Sequence, residues 1–249
     1  MNTYQNNTLE LVNINKRFGD TYAIHDVSLV VKERELVSII GPSGCGKSTL
    51  LNMISGLIEP DNGEILINGR QHEDRKGMVS YMVQKDLLLP WLKIIDNVIL
   101  SKRLAGEPKE KARKDAKPLF KIFGLEGFEN KYPFQLSGGM RQRAALMRTY
   151  IDGKEVMLLD EPFAGLDALT KVKMQDWLLK IKNEINATIL FVTHDIEEAI
   201  YMSDRVYIMS DRPSEIKEEQ MINLNRPRNR GMMITEAFNT LKQYLLKQF

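Results

Sequence analysis

The 249-residue sequence has one cysteine, so no disulfide can form within the chain, and a reducing cytosol is the expected compartment. Apolar runs such as Val37–Ile40 and Thr188–Val192 have the length of strands and not of membrane spans. The opening stretch MNTYQNNT lacks the apolar segment of a signal peptide. A net charge of +2 is too weak a bias to predict a nucleic-acid partner. If the protein acts at a membrane, we expect another chain to cross it.

Short apolar runs alternate with helical patterns along most of the sequence, which predicts an α/β fold with a mostly parallel sheet and strands at its N-terminus. We expect one domain over 1–249, with a core from about 1–85 and 152–230, a helical subdomain at about 86–151 and a C-terminal helix at 231–249. The predicted strands are Leu9–Ile14, Ala23–Val31, Leu36–Ile40, Ile65–Ile67, Met78–Val83, Val156–Asp160, Thr188–Val192 and Arg205–Ser210. The predicted helices are Lys47–Ser55, Ile94–Arg103, Pro108–Gly124, Gly138–Ile151, Lys171–Ile185 and Ile196–Met202.

Near the C-terminus, apolar side chains recur every three or four positions, at Ile234, Phe238, Leu241, Leu245 and Phe249. Such a stripe predicts a helix docked on the chain's own domain. A contact with a regulator or partner is the alternative, since periodicity marks a buried face without naming what covers it.

The segment Gly41–Thr49, GPSGCGKST, matches the pattern G-x-x-x-x-G-K-[ST] and lies between a predicted strand and a predicted helix. Its glycines let successive N–H groups turn toward one anion, and the following helix adds free N–H groups and the positive end of its dipole. We expect Lys47 to reach the β- and γ-phosphates of a nucleotide and Ser48 to bind Mg²⁺. Cys45 is either a reactive thiolate near Lys47 or simply a small residue. The residues expected at the nucleotide are Gly41, Pro42, Ser43, Gly44, Cys45, Gly46, Lys47, Ser48 and Thr49.

Two carboxylates end the apolar run Val156–Asp160, as expected where a buried parallel strand stops. Asp160 would approach Mg²⁺ through water, and Glu161 would orient and deprotonate an attacking water. A second apolar run delivers Thr193 and His194 to the same edge, because ligands of open α/β sheets collect at the carboxyl ends of the strands. His194 would donate a hydrogen bond to the γ-phosphate. These residues together predict hydrolysis of a nucleoside triphosphate.

A second glycine pair opens another predicted helix in the segment Leu136–Arg143, LSGGMRQR. Its capping hydroxyl and free N–H groups make an anion site by the same physics as the first loop. On its own, the segment is equally typical of an ordinary helix N-cap with flexible glycines. One nucleotide needs only one cradle, so the second one requires a separate explanation.

The order of the motifs offers that explanation. A glycine-rich loop, a glutamine, LSGGMRQR, the acids of LLDEP, Asp167 and His194 resemble the nucleotide-binding subunit of ABC transporters. The resemblance covers nearly the whole chain, from Phe18 to about Pro227, and implies a P-loop NTPase core with an inserted helical subdomain. It also implies a head-to-tail homodimer in which the signature segment of one chain binds the ATP held by the other. The signature residues are Ser137, Gly138, Gly139 and Met140.

By the same resemblance, Phe18 would stack on the adenine, whereas the alternative for this residue is a core aromatic at a strand end. Gln84 would sense Mg²⁺ at the joint with the helical subdomain, and Asp167 matches a loop that touches the opposite subunit. Met140 stands where the family often has glutamine. The implied catalytic residues are Glu161, His194 and Gln84, and the implied metal site uses Ser48, Gln84 and Asp160.

Subunits of this kind energise a separate membrane permease, so the resemblance implies a peripheral position on the cytoplasmic face of the cell membrane. The permease would dock beside Gln84 and Leu87–Val98, where Trp91 either faces outward or packs the helical subdomain. An extracytoplasmic solute-binding protein would take part indirectly. These segments look most like the branch that imports nitrate, sulfonates, taurine or thiamine-precursor pyrimidines. A soluble ABC-type ATPase in an assembly scaffold, without a permease, is the alternative.

Overall fold

The computed structural model describes residues 7–249, which form two β-sheets and eight α-helices. Within these residues, no helix is both long enough and apolar enough to cross a lipid bilayer. The strands are β1 (Asn7–Phe18), β2 (Thr21–Lys32), β3 (Leu36–Ile40), β4 (Asn62–Ile67), β5 (Arg70–Gln71), β6 (Ser80–Met82), β7 (Val156–Asp160), β8 (Thr188–Thr193), β9 (Arg205–Met209) and β10 (Ile216–Met221). The helices are α1 (Lys47–Ile54), α2 (Ile94–Val98), α3 (Leu100–Leu104), α4 (Lys109–Ile122), α5 (Gly138–Ile151), α6 (Ala168–Ile185), α7 (Ile196–Met202) and α8 (Glu236–Leu246).

The larger sheet has the strand order β10-β9-β3-β8-β7-β6, and every pair is parallel except the one between β9 and the edge strand β10. Four of its strands, β3, β7, β8 and β9, are buried along their whole length. Their nearly continuous apolar sequences follow from this, because both faces of a parallel sheet are covered. The predicted α/β class with a mostly parallel sheet is confirmed.

Alternate side chains of the central strands enter two separate apolar cores. Leu36 and Ile40 of β3 pack with helices on one face of the sheet. Val37 and Ile39 pack on the other face, with α1 and with the antiparallel sheet of order β2-β1-β4-β5. Both cores therefore fix the carboxyl end of β3, from which the glycine-rich loop leaves.

The expectation of one helix over Ile94–Arg103 is wrong, because the structure has α2 and α3 separated at Ile99. The ψ angle of Ile99 is 8°, which interrupts the regular helix at that residue. Helical bonding persists across the break, since the Ile99 N–H donates to Ile95 O at 3.1 Å and the Arg103 N–H donates to Ile99 O at 3.0 Å. The spacing of apolar residues in the sequence could not reveal a change in the ψ angle of a single residue.

Neither β5 nor β10 was predicted, and β6 is shorter than the strand expected over Met78–Val83. β10 has the sequence IKEEQM and alternates half-buried with exposed residues, as a charged edge strand does. β5 spans two residues, too few to show any periodicity. Short or charged edge strands such as β5 and β10 form because they pair with a neighbouring strand, and their own sequences show little apolar alternation.

The C-terminal helix α8 is shorter than the predicted stripe. Phe238 and Leu245 are buried, and Leu241 packs against the same core. Ile234 and Phe249, by contrast, are 84% and 52% exposed. The middle of the stripe therefore docks on the chain's own domain, and its two ends do not.

Candidate active site

The predicted site residues lie at one edge of the larger sheet. Gly41 follows β3, Asp160 ends β7, His194 follows β8 and Gln84 comes shortly after β6. These four strands are parallel and adjacent in the order β3-β8-β7-β6, so their carboxyl ends meet at the same edge. The sheet thus brings together groups that are far apart in the sequence.

The glycine-rich loop needs glycine at specific positions. Gly44 and Gly46 have φ angles of +77° and +124°, where a side chain would be strained. A Cβ on Gly46 would also stand 2.7 Å from Ile24 Cδ1, and one on Gly41 would stand 3.0 Å from Met209 O. The Ile24 side chain of β2 and the backbone at the end of β9 therefore pack closely against the loop.

Lys47 is the first residue of α1, and its side chain folds back across the loop to the carbonyls at the loop's start. Its Nζ donates to Gly41 O at 2.8 Å and to Pro42 O at 2.9 Å, and the side chain is almost fully buried. Cys45 is buried as well, with its Sγ 3.8 Å from the same Nζ. The lysine thus places a positive charge at the centre of the cradle, where a phosphate would need it.

Asp160 is the most enclosed acid of the site. Ser48 Oγ donates to its Oδ1 at 3.1 Å, and the Tyr81 hydroxyl donates to its Oδ2 at 3.3 Å. Burial raises the pKa of Asp160 above its usual range, against the effect of these hydrogen bonds. Burial, reinforced by the nearby Asp160, likewise raises the pKa of Tyr81. Tyr81 was not predicted, because its neighbours in β6 identify it only as a strand residue.

The oxygen donors of this corner suit a hard cation such as Mg²⁺. Ser48 offers a hydroxyl bonded to the Asp160 carboxylate, and Gln84, shortly after the neighbouring strand β6, offers an amide oxygen. Mg²⁺ takes one or two protein ligands and completes its shell with phosphate oxygens and water, so these donors would suffice to hold it. Among residues 7–249, no group of three or more His, Cys, Asp or Glu side chains is placed to hold a metal.

Glu161 has a φ angle of +43°, an uncommon conformation for a residue with a side chain. Two predicted site residues hold its carboxylate: Gln84 Nε2 donates to Oε2 at 2.9 Å, and His194 Nδ1 lies 3.2 Å from Oε1. Glu161 and His194 line a cavity of about 210 Å³ at the strand ends. The backbone turn thus places the carboxylate between Gln84 and His194, at the edge of this cavity.

The second cradle lies at the start of α5. Ser137 caps this helix, because its Oγ accepts a hydrogen bond from the Met140 N–H at 3.3 Å. A Cβ on Gly139 would stand 2.7 Å from Thr170 Cγ2, whereas one on Gly138 would meet only ordinary contacts at 3.7 Å. The Met140 side chain packs against the apolar core. Hydroxyl and N–H groups line this cradle, and the Arg141 guanidinium stands beside it, donating to Leu136 O at 3.0 Å.

Two arginines of α5, which the sequence analysis did not single out, connect this helix to the segment after Gln84. Arg141 Nε donates to Asp86 Oδ2 at 3.1 Å. Arg148 donates to Asp86 O at 2.6 Å and to Leu87 O at 2.8 Å. Leu87 has a φ angle of +43°, so the segment needs such support.

Phe18 and Asp167 are exposed side chains at the ends of two elements. Phe18 ends β1 with 48% of its surface exposed, so it is not the core aromatic that was the alternative. Asp167 caps α6 by accepting a hydrogen bond from the Thr170 N–H at 3.0 Å. The bonds from Thr170 lower the pKa of this exposed carboxyl. Both side chains are accessible from outside the chain.

Known proteins resemble this chain along most of its length. The ABC transporter family matches residues 24–164. The aliphatic sulfonates import ATP-binding protein of Bacillus thuringiensis is 40% identical over 235 residues, which cover 94% of this chain and 91% of that protein. The formylaminopyrimidine import ATP-binding protein of Halalkalibacterium halodurans is 46% identical over 190 residues, which cover 76% of this chain and 74% of that one.

A solved dimeric ATP-binding cassette, in a post-hydrolysis state bound to ADP and Pi, superposes with a TM-score of 0.73 and 34% identity. The match covers 87% of this chain and all of that one, 100%. The chain therefore belongs to the ABC transporter family, as the order of its motifs predicted. It is the ATP-binding cassette of that family, and its reaction is the hydrolysis of ATP to ADP and phosphate.

Proposed function

We propose that this chain is the energy-coupling subunit of an ABC importer, dimerising head-to-tail around two ATP molecules and driving a separate permease. The observation that carries the proposal is the presence of two unequal cradles. Ser48 of the loop Gly41–Thr49 donates to Asp160, and Glu161 follows on the same strand end, whereas the Ser137 hydroxyl caps its own helix and is bonded to no acid among residues 7–249. A cradle without hydrolytic groups suits a nucleotide that another subunit holds.

In the first cradle, we assign the phosphates to the loop N–H groups and Lys47, and the adenine to the exposed ring of Phe18. Glu161 takes a proton from the attacking water, while His194 donates to the γ-phosphate oxygens. Bound Mg²⁺, held by Ser48 and Gln84 and by Asp160 through water, would neutralise charge on the phosphates.

In the second cradle, Ser137, Gly138, Gly139 and the Met140 N–H would contact the γ-phosphate of the partner's ATP, with Asp167 touching the opposite subunit. ATP would then favour the closed dimer and hydrolysis would reopen it. We assign the whole chain to one domain, with its core from about 1–85 and 152–230, its helical subdomain at about 86–151 and its C-terminal helix within 231–249.

The permease would dock where the segment after Gln84 meets α2. Leu87 and Trp91 are 57% and 70% exposed there, so an apolar surface is open to a partner helix. Docking would place the chain peripherally on the cytoplasmic face of the membrane, with a solute-binding protein acting on the other side. The two relatives are named for the import of aliphatic sulfonates and of formylaminopyrimidine, which supports sulfonates or pyrimidine precursors as the solute class; nitrate and taurine belong to the same predicted branch. The second candidate, a soluble assembly ATPase, would leave this apolar surface to a soluble partner.

The Glu161→Gln variant tests the catalytic assignment. An amide cannot accept the proton of water, so turnover should fall about 10²–10⁴-fold while MgATP binding is retained. The ATP-bound dimer should then accumulate and be visible by analytical ultracentrifugation. Glu155→Gln, at the opposite end of the same strand and exposed, should hydrolyse ATP normally. Hydrolysis at the native rate by Glu161→Gln would refute the role of Glu161.

Purification of the chain from its native membranes, followed by mass spectrometry, tests the transport assignment. A multi-span permease should accompany the native chain and be lost from a Trp91→Ala variant that still hydrolyses ATP. If only soluble partners appear and the chain is absent from the membrane fraction, the assembly ATPase becomes the better description.

A further inference from the structure

Helix α7 starts two residues after His194, so its placement sets where the histidine stands. It has seven residues, Ile196–Met202, which is short for a helix to be stable without tertiary support. Asp195 caps it, because its Oδ1 accepts a hydrogen bond from the Glu198 N–H at 3.1 Å. Apolar packing on β3 and β8, together with contacts from α6 and from the chain beyond β10, supplies the rest of the support.

Lys171 supports α7 at its start. Its Nζ lies 2.8 Å from Asp195 Oδ2 and 2.9 Å from Glu198 Oε2, so one ammonium bridges the cap and the first turn. Lys171 stands one turn into α6, the helix that Asp167 caps, and its N–H donates to Asp167 O at 2.8 Å. It also lines the same cavity as His194. The lysine thus connects two segments of the site.

Two arginines support α7 at its end. Arg226 donates to Met202 O at 3.1 Å. Arg228 donates to Ile200 O at 2.9 Å and Tyr201 O at 3.1 Å. The last carbonyls of a helix have no partner within it and carry the negative end of its dipole, so these cations fit that position.

A third arginine supports α7 from the side and reaches Lys171 through buried groups. The Arg230 guanidinium stacks 4.1 Å from the centre of the Tyr201 ring and donates to Gln175 Oε1 at 2.9 Å. Gln175 Nε2 in turn donates to Glu198 Oε2 at 3.0 Å. An unbroken line of polar contacts therefore runs from Arg230 through Gln175 and Glu198 to Lys171.

The middle of this line is almost free of solvent. Gln175 and Glu198 are 3% and 4% exposed. A buried carboxylate is costly unless its partners are held in place, so each member of the line restricts the others. A displacement of one of these side chains should therefore move the others, because a closely packed interior transmits small shifts from residue to residue.

We propose that Arg230, acting along the line through Gln175, Glu198 and Lys171, positions α7 and with it His194 for hydrolysis, while Arg226 and Arg228 hold the end of the helix. The inference rests on the catalytic role proposed for His194. The segment Arg226–Arg230, which follows β10, would thus affect the turnover rate without contacting the nucleotide. Arg230, Gln175, Glu198 and Lys171 are positioning residues in this scheme, not catalytic ones.

Arg230→Met tests the proposal in the full chain, with MgATP as the substrate. The kcat should fall about tenfold because a displaced catalytic group loses rate steeply, while KM should stay within about twofold because the glycine-rich loop is untouched. Arg230→Lys, which keeps a cation over Tyr201, should recover part of the rate. Arg70→Met, at an exposed arginine of β5, is the matched control and should change neither parameter.

A double variant separates positioning of His194 from general loosening. If Arg230 acts through His194, the double variant Arg230→Met, His194→Ala should hydrolyse ATP at the residual rate of His194→Ala alone. Multiplication of the two losses, or an unchanged kcat in Arg230→Met, would overturn the proposal. If His194→Ala itself keeps the native rate, His194 has no catalytic role. The polar contacts from Arg230 then cannot act on hydrolysis through this residue.

Gln175→Met provides a second route should Arg230→Met fold poorly. Methionine has a similar size, and the variant breaks the line at its middle while leaving Arg230 on Tyr201 and Asp176. The same fall in kcat with constant KM is expected. Full activity in a folded Gln175→Met, checked by thermal melting, would count against the proposal.

Discussion

The two cradles are built from the same elements, a glycine pair and a helix N-terminus, but their surroundings differ. In the loop Gly41–Thr49, Lys47 brings a buried cation, and the strand ends add Asp160 and Glu161. At the start of α5, Ser137 is exposed and supplies a hydroxyl cap, and no acid or base is joined to it by a hydrogen bond in the part of the chain that the structure describes.

The first cradle lies where four parallel strands end, so acids, a glutamine and a histidine stand near its N–H groups; in the proposed function these groups activate water. The second lies at the start of α5, where Gly138 shares a cavity with Gln84 and Arg141, and its hydroxyl and N–H groups suit the binding of an anion. Such a division of roles predicts that damage to either cradle affects a different measurable step.

The largest expected effects come from Lys47→Ala and Ser137→Asp. Loss of the lysine removes a charge-assisted hydrogen bond, so the Kd of MgATP should rise about 10- to 150-fold for the monomer. Aspartate keeps the helix cap but repels phosphate, so Ser137→Asp should bind MgATP normally and lose hydrolysis by about 10²-fold or more. Isothermal titration and a phosphate-release assay measure the two steps.

Ser137→Asn is the matched control for that comparison. Asparagine caps a helix as well as aspartate but carries no charge, so most of the activity should remain. Equal inactivity of the asparagine and aspartate variants would mean that the hydroxyl itself, and not anion binding, is required at Ser137.

The next largest effect is expected from Phe18→Ala, which removes the exposed ring that we assign to the adenine. Stacking on a base contributes about 1–3 kcal/mol, so nucleotide binding should weaken about 5- to 150-fold while the maximal rate is kept. Phe134→Ala, at an aromatic residue that is 77% exposed near the second cradle, is the control and should leave monomer binding unchanged. Unaltered affinity in Phe18→Ala would remove the ring from the nucleotide site.

A smaller effect is expected from alanine at the two glycines of the second cradle. Gly139→Ala should destabilise the protein by about 1–3 kcal/mol, because its Cβ would stand 2.7 Å from Thr170 Cγ2. Gly138→Ala has room and should be close to neutral. Thr170→Ser, which lacks the clashing methyl, should rescue Gly139→Ala in denaturant unfolding. Equal losses from both alanines would show that the close packing at Gly139 is unimportant.

The smallest effect concerns Asp160 and pH. Burial raises the folded-state pKa of this carboxyl, so its contribution to stability is full below the unfolded value of about 3.9 and is lost as the pH rises through the folded value. Asp160→Asn cannot ionise and should therefore melt a few degrees higher than the native protein at pH about 7.5. The advantage should vanish near pH about 4. A difference that is constant across this range would exclude ionisation as its cause.

Much of the site could be predicted because glycine-rich loops and strand ends leave local signatures. Gly41–Thr49, Asp160, Glu161 and His194 follow strands whose apolar runs are unmistakable. The break at Ile99 and the edge strand β10 escaped prediction, since one depends on a single backbone angle and the other on pairing with β9. The function of Ser137 needed the resemblance to a family, because a capping serine alone fits an ordinary helix.

Spacing along the chain is enough to identify the residues that can turn N–H groups toward a phosphate and the acids that end buried strands. The folded structure was needed to show that Tyr81 bonds Asp160 from 79 residues away, that Arg148 donates to Leu87 O across 61 residues, and that Gln175 is hydrogen-bonded to Glu198 inside the protein. Such contacts require two elements to be packed at a fixed distance, and side-chain packing has no signature in the order of residues along a chain.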